Sequence, residues 1–141
     1  MHNLNTSDIE DICRKLMNAF QGVLSWEWED RFEAVLAKIR VDKKDNVREI
    51  LERHFIHVWD KANIDKASDT LQPVITQLGG LMAGQLLFTS DTEKDVFIFC
   101  AWWPWGDGET ISVRIAPACC RKQSESEEGE LIQQFKGWFE M

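Results

Sequence analysis

Apolar residues recur at every third or fourth position in three stretches of the first 60 residues, and this spacing is typical of amphipathic helices. The three stretches cover residues 9–20, 28–39 and 47–58. Ser7 and Glu10 have the spacing of a capping box before the first stretch, and Gly22 suits the end of a helix. The pattern therefore predicts helices over about 7–22, 25–40 and 45–59.

Pro73 suits the first turn of a short fourth helix, which Gly79 and Gly80 would end, so three or four N-terminal helices are expected. After Gly84 the period changes to that of strands, at 85–90, 96–103 and 110–116. The segment 96–103 is apolar at every position, which predicts a central strand covered on both faces. Pro117 is expected to end the pairing of the last strand.

The turn between the last two predicted strands contains Asp107-Gly108, which favours a hairpin. An acidic segment at 123–130 is expected to be exposed, and apolar residues from Leu131 to Phe139 mark one face of a C-terminal helix at about 128–140. The sequence thus predicts an α+β fold with N-terminal helices, a three-stranded antiparallel β-meander and a C-terminal helix. We expect a single two-layer domain over residues 1–141, with a helical portion at about 7–80 and a sheet portion at about 85–117.

Charge and length narrow the functional classes. The chain has 141 residues and a formal net charge of −8, and the part after Gly84 carries more of this negative charge than the part before it. Such a balance disfavours nucleic-acid binding, which needs clustered lysine and arginine, and it favours either a basic partner or solubility alone. No apolar run is long enough to span a membrane, and the acidic N-terminus lacks a signal-peptide layout, so a cytoplasmic location is expected.

Catalytic and metal-binding signatures are weak. Cys13 and Cys100 are expected to be buried free thiols, while the adjacent Cys119 and Cys120 have no C-x-x-C or histidine partner. His54 and His57 share the third predicted helix at a spacing that could reach one metal, but a packed or hydrogen-bonded His54 is favoured. No nucleophile or phosphate-loop motif is present, so the sequence favours a binding protein without cofactor or metal over an enzyme.

The cluster Trp102-Trp103-Pro104-Trp105 is the most distinctive feature of the chain. Because neighbouring strand residues point to opposite faces, Trp102 and Trp103 cannot share one face, and at least one is expected in the core. Trp105 occupies the turn and is expected to be partly exposed. Asp107 and Glu109 would then flank a contact surface or a ligand, with Arg114 across from them, although solvated turn acids are the simpler interpretation.

In overall character the chain resembles bacterial immunity proteins, which are small, acidic and cytosolic and neutralise a toxin by covering its active site. The resemblance implies a protein partner with a basic cleft, opposed by carboxylates and anchored by aromatics. The predicted partner-binding residues are Trp105, Asp107, Glu109, Arg114, Glu125, Glu127 and Glu128. Two alternatives stay open: a small-molecule-binding domain or minor enzyme using Trp105, Asp107 and Arg114, and an adaptor or chaperone that docks through the C-terminal helix. The sequence leaves the oligomeric state open.

Overall fold

A computed structural model describes residues 6–67, 69–119 and 124–140. Within these residues the chain forms four α-helices and one six-stranded antiparallel sheet. The helices are α1 (Ser7–Ala19), α2 (Lys44–His54), α3 (Gln72–Gln77) and α4 (Glu125–Trp138). The strands are β1 (Glu27–Glu29), β2 (Ala34–Arg40), β3 (His57–Trp59), β4 (Leu86–Thr89), β5 (Val96–Pro104) and β6 (Thr110–Cys119).

The sheet has the strand order β1-β2-β6-β5-β4-β3, with every neighbouring pair antiparallel. The long strands β5 and β6 lie at its centre, as predicted for the wholly apolar segment 96–103. They pair from Val96 opposite Cys119 at one end to Pro104 opposite Ile111 at the other. The short strands β1 and β3 form the two edges, which limits the unpaired backbone available for edge-to-edge association.

The predicted three-stranded meander is wrong, because three further strands come from the portion assigned to helices. The predicted helix at 25–40 is instead the hairpin of β1 and β2, and β2 pairs with β6 from Val35 to Arg40. Its apolar positions 35, 36 and 39 fit the spacing of a helix as well as that of a strand, and the long edge of β6 offers a full ladder of hydrogen bonds. Tertiary pairing therefore decides the structure of this segment.

The predicted third helix also ends early, since α2 stops at His54 and residues 57–59 pair with β4. At the other end of the sheet, β6 continues past Pro117 to Cys119, contrary to expectation. The Ile98 N–H donates to the Ser90 hydroxyl, and the Ile98 carbonyl accepts the Ser90 N–H. Both backbone groups of Ile98 are therefore bonded to Ser90 and not to its β6 partner Pro117. The missing proline N–H therefore breaks no ladder bond.

Two helix starts differ from expectation, and one of them is that of α4, which begins at Glu125 and not at about 128. The predicted capping box at Ser7 and Glu10 is wrong, because Ser7 is already the first residue of α1 and Thr6 is the N-cap. A true capping box begins α4: the Ser124 side chain accepts the Glu127 backbone N–H, and the Glu127 carboxylate accepts the Ser124 N–H. This arrangement satisfies two backbone donors at the start of the helix.

The sheet is covered on both faces, so the two-layer description is incomplete. One hydrophobic cluster places α1, α2 and α4 against one face, with Phe20, Val47 and Phe135 among its buried residues. A second, smaller cluster on the other face packs α3 and its preceding turn, through Val74 and Leu71, against the central strands. The remaining area of this second face carries polar and aromatic side chains.

Candidate functional site

The three clustered tryptophans have three different environments. Trp102 is 5% exposed and belongs to the larger hydrophobic cluster, whereas Trp105 is 43% exposed at the end of the hairpin. Trp103 lies on the opposite face of β5 from Trp102 and is half-buried. The predicted alternation of core and surface tryptophans is therefore confirmed, and Trp105 is the indole most open to solvent.

Two contacts hold Trp105 on the sheet. Its indole Nε1–H donates a hydrogen bond to the hydroxyl of Ser112, a buried residue of β6. The ammonium nitrogen of Lys38, on β2, lies 5.6 Å from the centroid of the Trp105 ring. Fixed in this way, the indole loses little rotational freedom when it is covered by a ligand or partner.

The turn beyond Trp105 is organised around the carboxylate of Asp107. One of its oxygens accepts the backbone N–H groups of Glu109 at 2.9 Å and Thr110 at 3.0 Å, and the other accepts the Thr110 hydroxyl at 3.0 Å. Gly108 follows with φ +71°, a conformation that glycine adopts without strain. The hydrogen bond from the Glu109 N–H, joined by those from Thr110, lowers the pKa of Asp107.

We expect the stabilisation from Asp107 to be lost in acid. A carboxyl whose pKa is lower in the folded than in the unfolded chain stabilises the fold above its unfolded pKa, about 3.9, and stops doing so as pH falls through the folded pKa. Asp107→Ala should therefore lower the urea midpoint near pH 6 and have a smaller effect near pH 3. Asp107→Asn keeps an uncharged acceptor and is the control. If Asp107→Ala lowered the urea midpoint by the same amount at both pH values, the Asp107 carboxylate would not be the source of the stabilisation.

Arg114 is not available to a ligand beside the hairpin. Its guanidinium makes two hydrogen bonds, of 2.6 and 3.2 Å, to the carboxylate of Glu29 on β1. The Arg114 and Glu29 side chains are 21% and 19% exposed, and the guanidinium also lies 5.3 Å from the centroid of the Phe32 ring. The predicted ligand site between Asp107, Glu109 and Arg114 is therefore not formed.

The predicted partner-binding residues fall on two separate surfaces. Trp105, Asp107 and Glu109 lie at the hairpin end of β5 and β6. Glu125, Glu127 and Glu128 begin α4, which follows the opposite end of β6. The paired strands between Val96 and Pro104 span roughly 27 Å, so the two groups do not form one contact surface.

Carboxylates gather at the end of the sheet opposite the hairpin, which we call the acidic end. It comprises the first residues of α1, the loop between β4 and β5, Glu33 and the first turns of α4: Asp8, Asp11, Glu33, Asp91, Glu93, Asp95, Glu125, Glu127, Glu128 and Glu130. Two described lysines pair with carboxylates of this end, Lys94 with Asp8 and Lys15 with Asp11. Arg121 and Lys122 lie outside the described residues.

A cleft opens at the acidic end, between α3 and α4. Its volume is about 320 Å³, and Glu33 and Glu128 both line it, above apolar residues that include Phe99 and Leu131. Glu33 is exposed and adopts φ +50°, an uncommon backbone conformation for a residue with a side chain. The cleft therefore combines an apolar floor with two carboxylates.

Cations gather instead at the hairpin end. Lys38 and Arg40 on β2, Lys43 before α2, and Lys44 and Arg48 on α2 all lie there, intermixed with Asp42 and Asp45. The Val41 N–H donates to the Glu109 carbonyl at 2.8 Å, which ties this segment to the hairpin. Sequence reasoning missed this cluster because it placed Lys38 and Arg40 on a helix.

The described cysteines and histidines each lie on a different helix or strand. Cys13 and Cys100 are buried as predicted, and burial raises the pKa of both thiols. His54 Nδ1 lies 2.8 Å from the Ile50 carbonyl oxygen. The prediction that His54 and His57 share one helix is wrong, because α2 ends at His54 and His57 begins β3. Within the described part of the chain, no three histidine, cysteine or acidic residues are grouped to hold a metal. Cys120 and His2 lie outside it.

The described residues thus present an acidic end with a cleft and a hairpin end with an ordered indole, where five cations are mixed with Asp42, Asp45, Asp107 and Glu109. None of the helices in the described part of the chain combines the length and the apolar character that a membrane span requires. The chain matches no protein-family model, no curated protein and no solved structure.

Proposed function

We propose that this chain is an inhibitor of the immunity type, which acts in the cytoplasm by covering the basic active-site cleft of a toxin. The observation that carries the proposal is the acidic end, where ten carboxylates from α1, α4 and two loops gather and two described lysines, Lys15 and Lys94, pair with Asp11 and Asp8. A predominantly negative surface of this kind raises the association rate of an oppositely charged partner. The net charge of −8 acts in the same direction.

The cleft between α3 and α4 supplies the anchor. Its carboxylates, Glu33 and Glu128, can receive a lysine or arginine side chain of the partner, while the aliphatic stem packs on Phe99 and Leu131. A charge pair that becomes desolvated at an interface contributes to slow dissociation, whereas the surrounding exposed carboxylates contribute mainly to encounter. Glu125 belongs to this outer group. Glu127, whose side chain caps α4, contributes charge from a fixed position.

The alternatives lose the residues on which they depended. An adaptor that docks through the C-terminal helix needs the face of α4 from Leu131 to Phe139, and this face is buried against the chain's own core. A small-molecule site using Arg114 needs a cation that is held by Glu29. If the acidic end serves only to keep the chain in solution, reversal of its charges should cause no loss of function.

Coexpression tests the proposed function. The neighbouring gene in the native host, expressed alone in a heterologous cell, should stop growth, and coexpression of this chain should restore it. The product of that gene should form a stable complex with the purified chain, and this complex should associate more slowly as ionic strength rises. The gene for this chain can also be deleted from its host. If the deletion strain lost no fitness beside toxin-producing siblings, the proposal would be overturned.

A further inference from the structure

A groove lies at the hairpin end, between α2 and the β5–β6 hairpin. Its volume is about 410 Å³, within the range of sites that bind small molecules. The floor and walls are largely apolar and include Val41, Leu86, Trp102, Pro104, Trp105 and Ile111. Because Trp105 is fixed by Ser112 and the segment before α2 is bonded to the hairpin, both walls are preformed.

The rim of this groove is cationic in an otherwise acidic chain. Lys44 and Arg48 line it together with one carboxylate, Asp45. The Arg48 Nε–H donates to Glu52 at 2.7 Å, which holds the guanidinium in place, whereas no ion pair in the described residues involves Lys44. The rim therefore has an unpaired ammonium next to apolar walls.

We infer that this α2–hairpin groove binds a small apolar molecule that ends in a single carboxylate. The apolar body would cover the two indoles and the aliphatic wall, and the carboxylate would meet Lys44 at the rim. An apolar cation is disfavoured by the same lysine and arginine, and an uncharged molecule gains nothing from them. The inference is independent of the proposed function, because the groove and the acidic end lie at opposite ends of the sheet.

The test uses 2-naphthoate as the probe, with heteronuclear NMR on the full chain. Saturable shifts are expected for the indole N–H of Trp105 and the backbone amides of Lys44 and Gly108. Naphthalene-2-carboxamide and naphthalen-2-ylmethylammonium, which have the same ring system without the negative charge, should bind roughly tenfold more weakly. Lys44→Glu should weaken the binding of 2-naphthoate by a similar factor. Lys66→Glu, which makes the same charge change beneath the opposite face of the sheet, should leave its affinity unchanged.

Each alternative result overturns the inference. Equal affinity for the acid and the amide would remove the role of the cations. Shifts centred on the cleft between α3 and α4, or no saturable shift, would place no site in the groove. Loss of binding in both lysine variants would show a dependence on net charge alone. Spectra of each variant recorded without probe show whether the fold is retained, and Lys44→Gln replaces Lys44→Glu if it is not.

Discussion

Replacing Phe135 by alanine should lower the free energy of unfolding by about 3–5 kcal/mol. The side chain is fully buried where α4 meets the sheet. Its ring centroid lies 5.1 Å from that of Phe139 and 6.4 Å from those of Trp28 and Trp138, so alanine would remove three aromatic contacts and leave a cavity. Equilibrium urea unfolding, followed by far-UV circular dichroism, measures the change.

The control for Phe135 is its neighbour. Gln134→Ala replaces an exposed residue of the same helix, and the change should stay within about 0.5 kcal/mol. If Phe135→Ala were no more destabilising than Gln134→Ala, α4 would not be docked on the core. Its apolar face would then be available to a partner, and the adaptor hypothesis would return. A large difference keeps α4 as part of the fold.

The segments that sequence reasoning placed correctly carry an unambiguous local signal. The segment 96–103 is apolar throughout and too short for a buried helix between two turns, so its central strand could be predicted. The face of α4 from Leu131 to Phe139 repeats at helical spacing and is buried as expected. In both cases the local pattern and the tertiary environment agree.

The errors fall where local signals are ambiguous and a distant partner decides. Residues 34–40 become a strand because β6, at least 70 residues away, provides a ladder for them. Separation along the sequence also explains why the surroundings of Arg114 could not be predicted. Glu29 holds Arg114 from 85 residues away, and no local spacing indicates that pair. Because the sequence predicts a helix for residues 34–40, it predicts neither the ion pair nor the cations beside the hairpin.

The exposure of Trp105 could be predicted from its place in a turn, but its charged surroundings could not. The sequence suggested a single surface of indole and carboxylates. In the fold, the Asp107 carboxylate is committed to its turn, and the ammonium of Lys38 lies 5.6 Å from the centroid of the indole ring. The indole therefore has a cation beside it, and the proposed basic partner would contact the acidic end.

Reversing two charges at the acidic end should slow association with the toxin identified by coexpression about 10- to 100-fold at low salt. The double variant is Glu125→Lys with Glu128→Lys, at exposed positions in the first turn of α4. The effect should shrink as salt screens the surface, while dissociation changes mainly through Glu128, which lines the cleft. Stopped-flow or surface-plasmon measurements at two ionic strengths separate the rates.

Asp42→Lys with Asp45→Lys is the matched control. It makes the same change in net charge near the start of α2, at the opposite end of the sheet, and Asp45 is likewise in the first turn of its helix. Reversal in a first turn costs about 0.3–1 kcal/mol per residue, less than the loss expected for Phe135→Ala, so both variants should remain folded. Equal slowing by the two variants would mean that net charge alone steers the encounter. No slowing by the α4 variant would remove the acidic end as the docking surface.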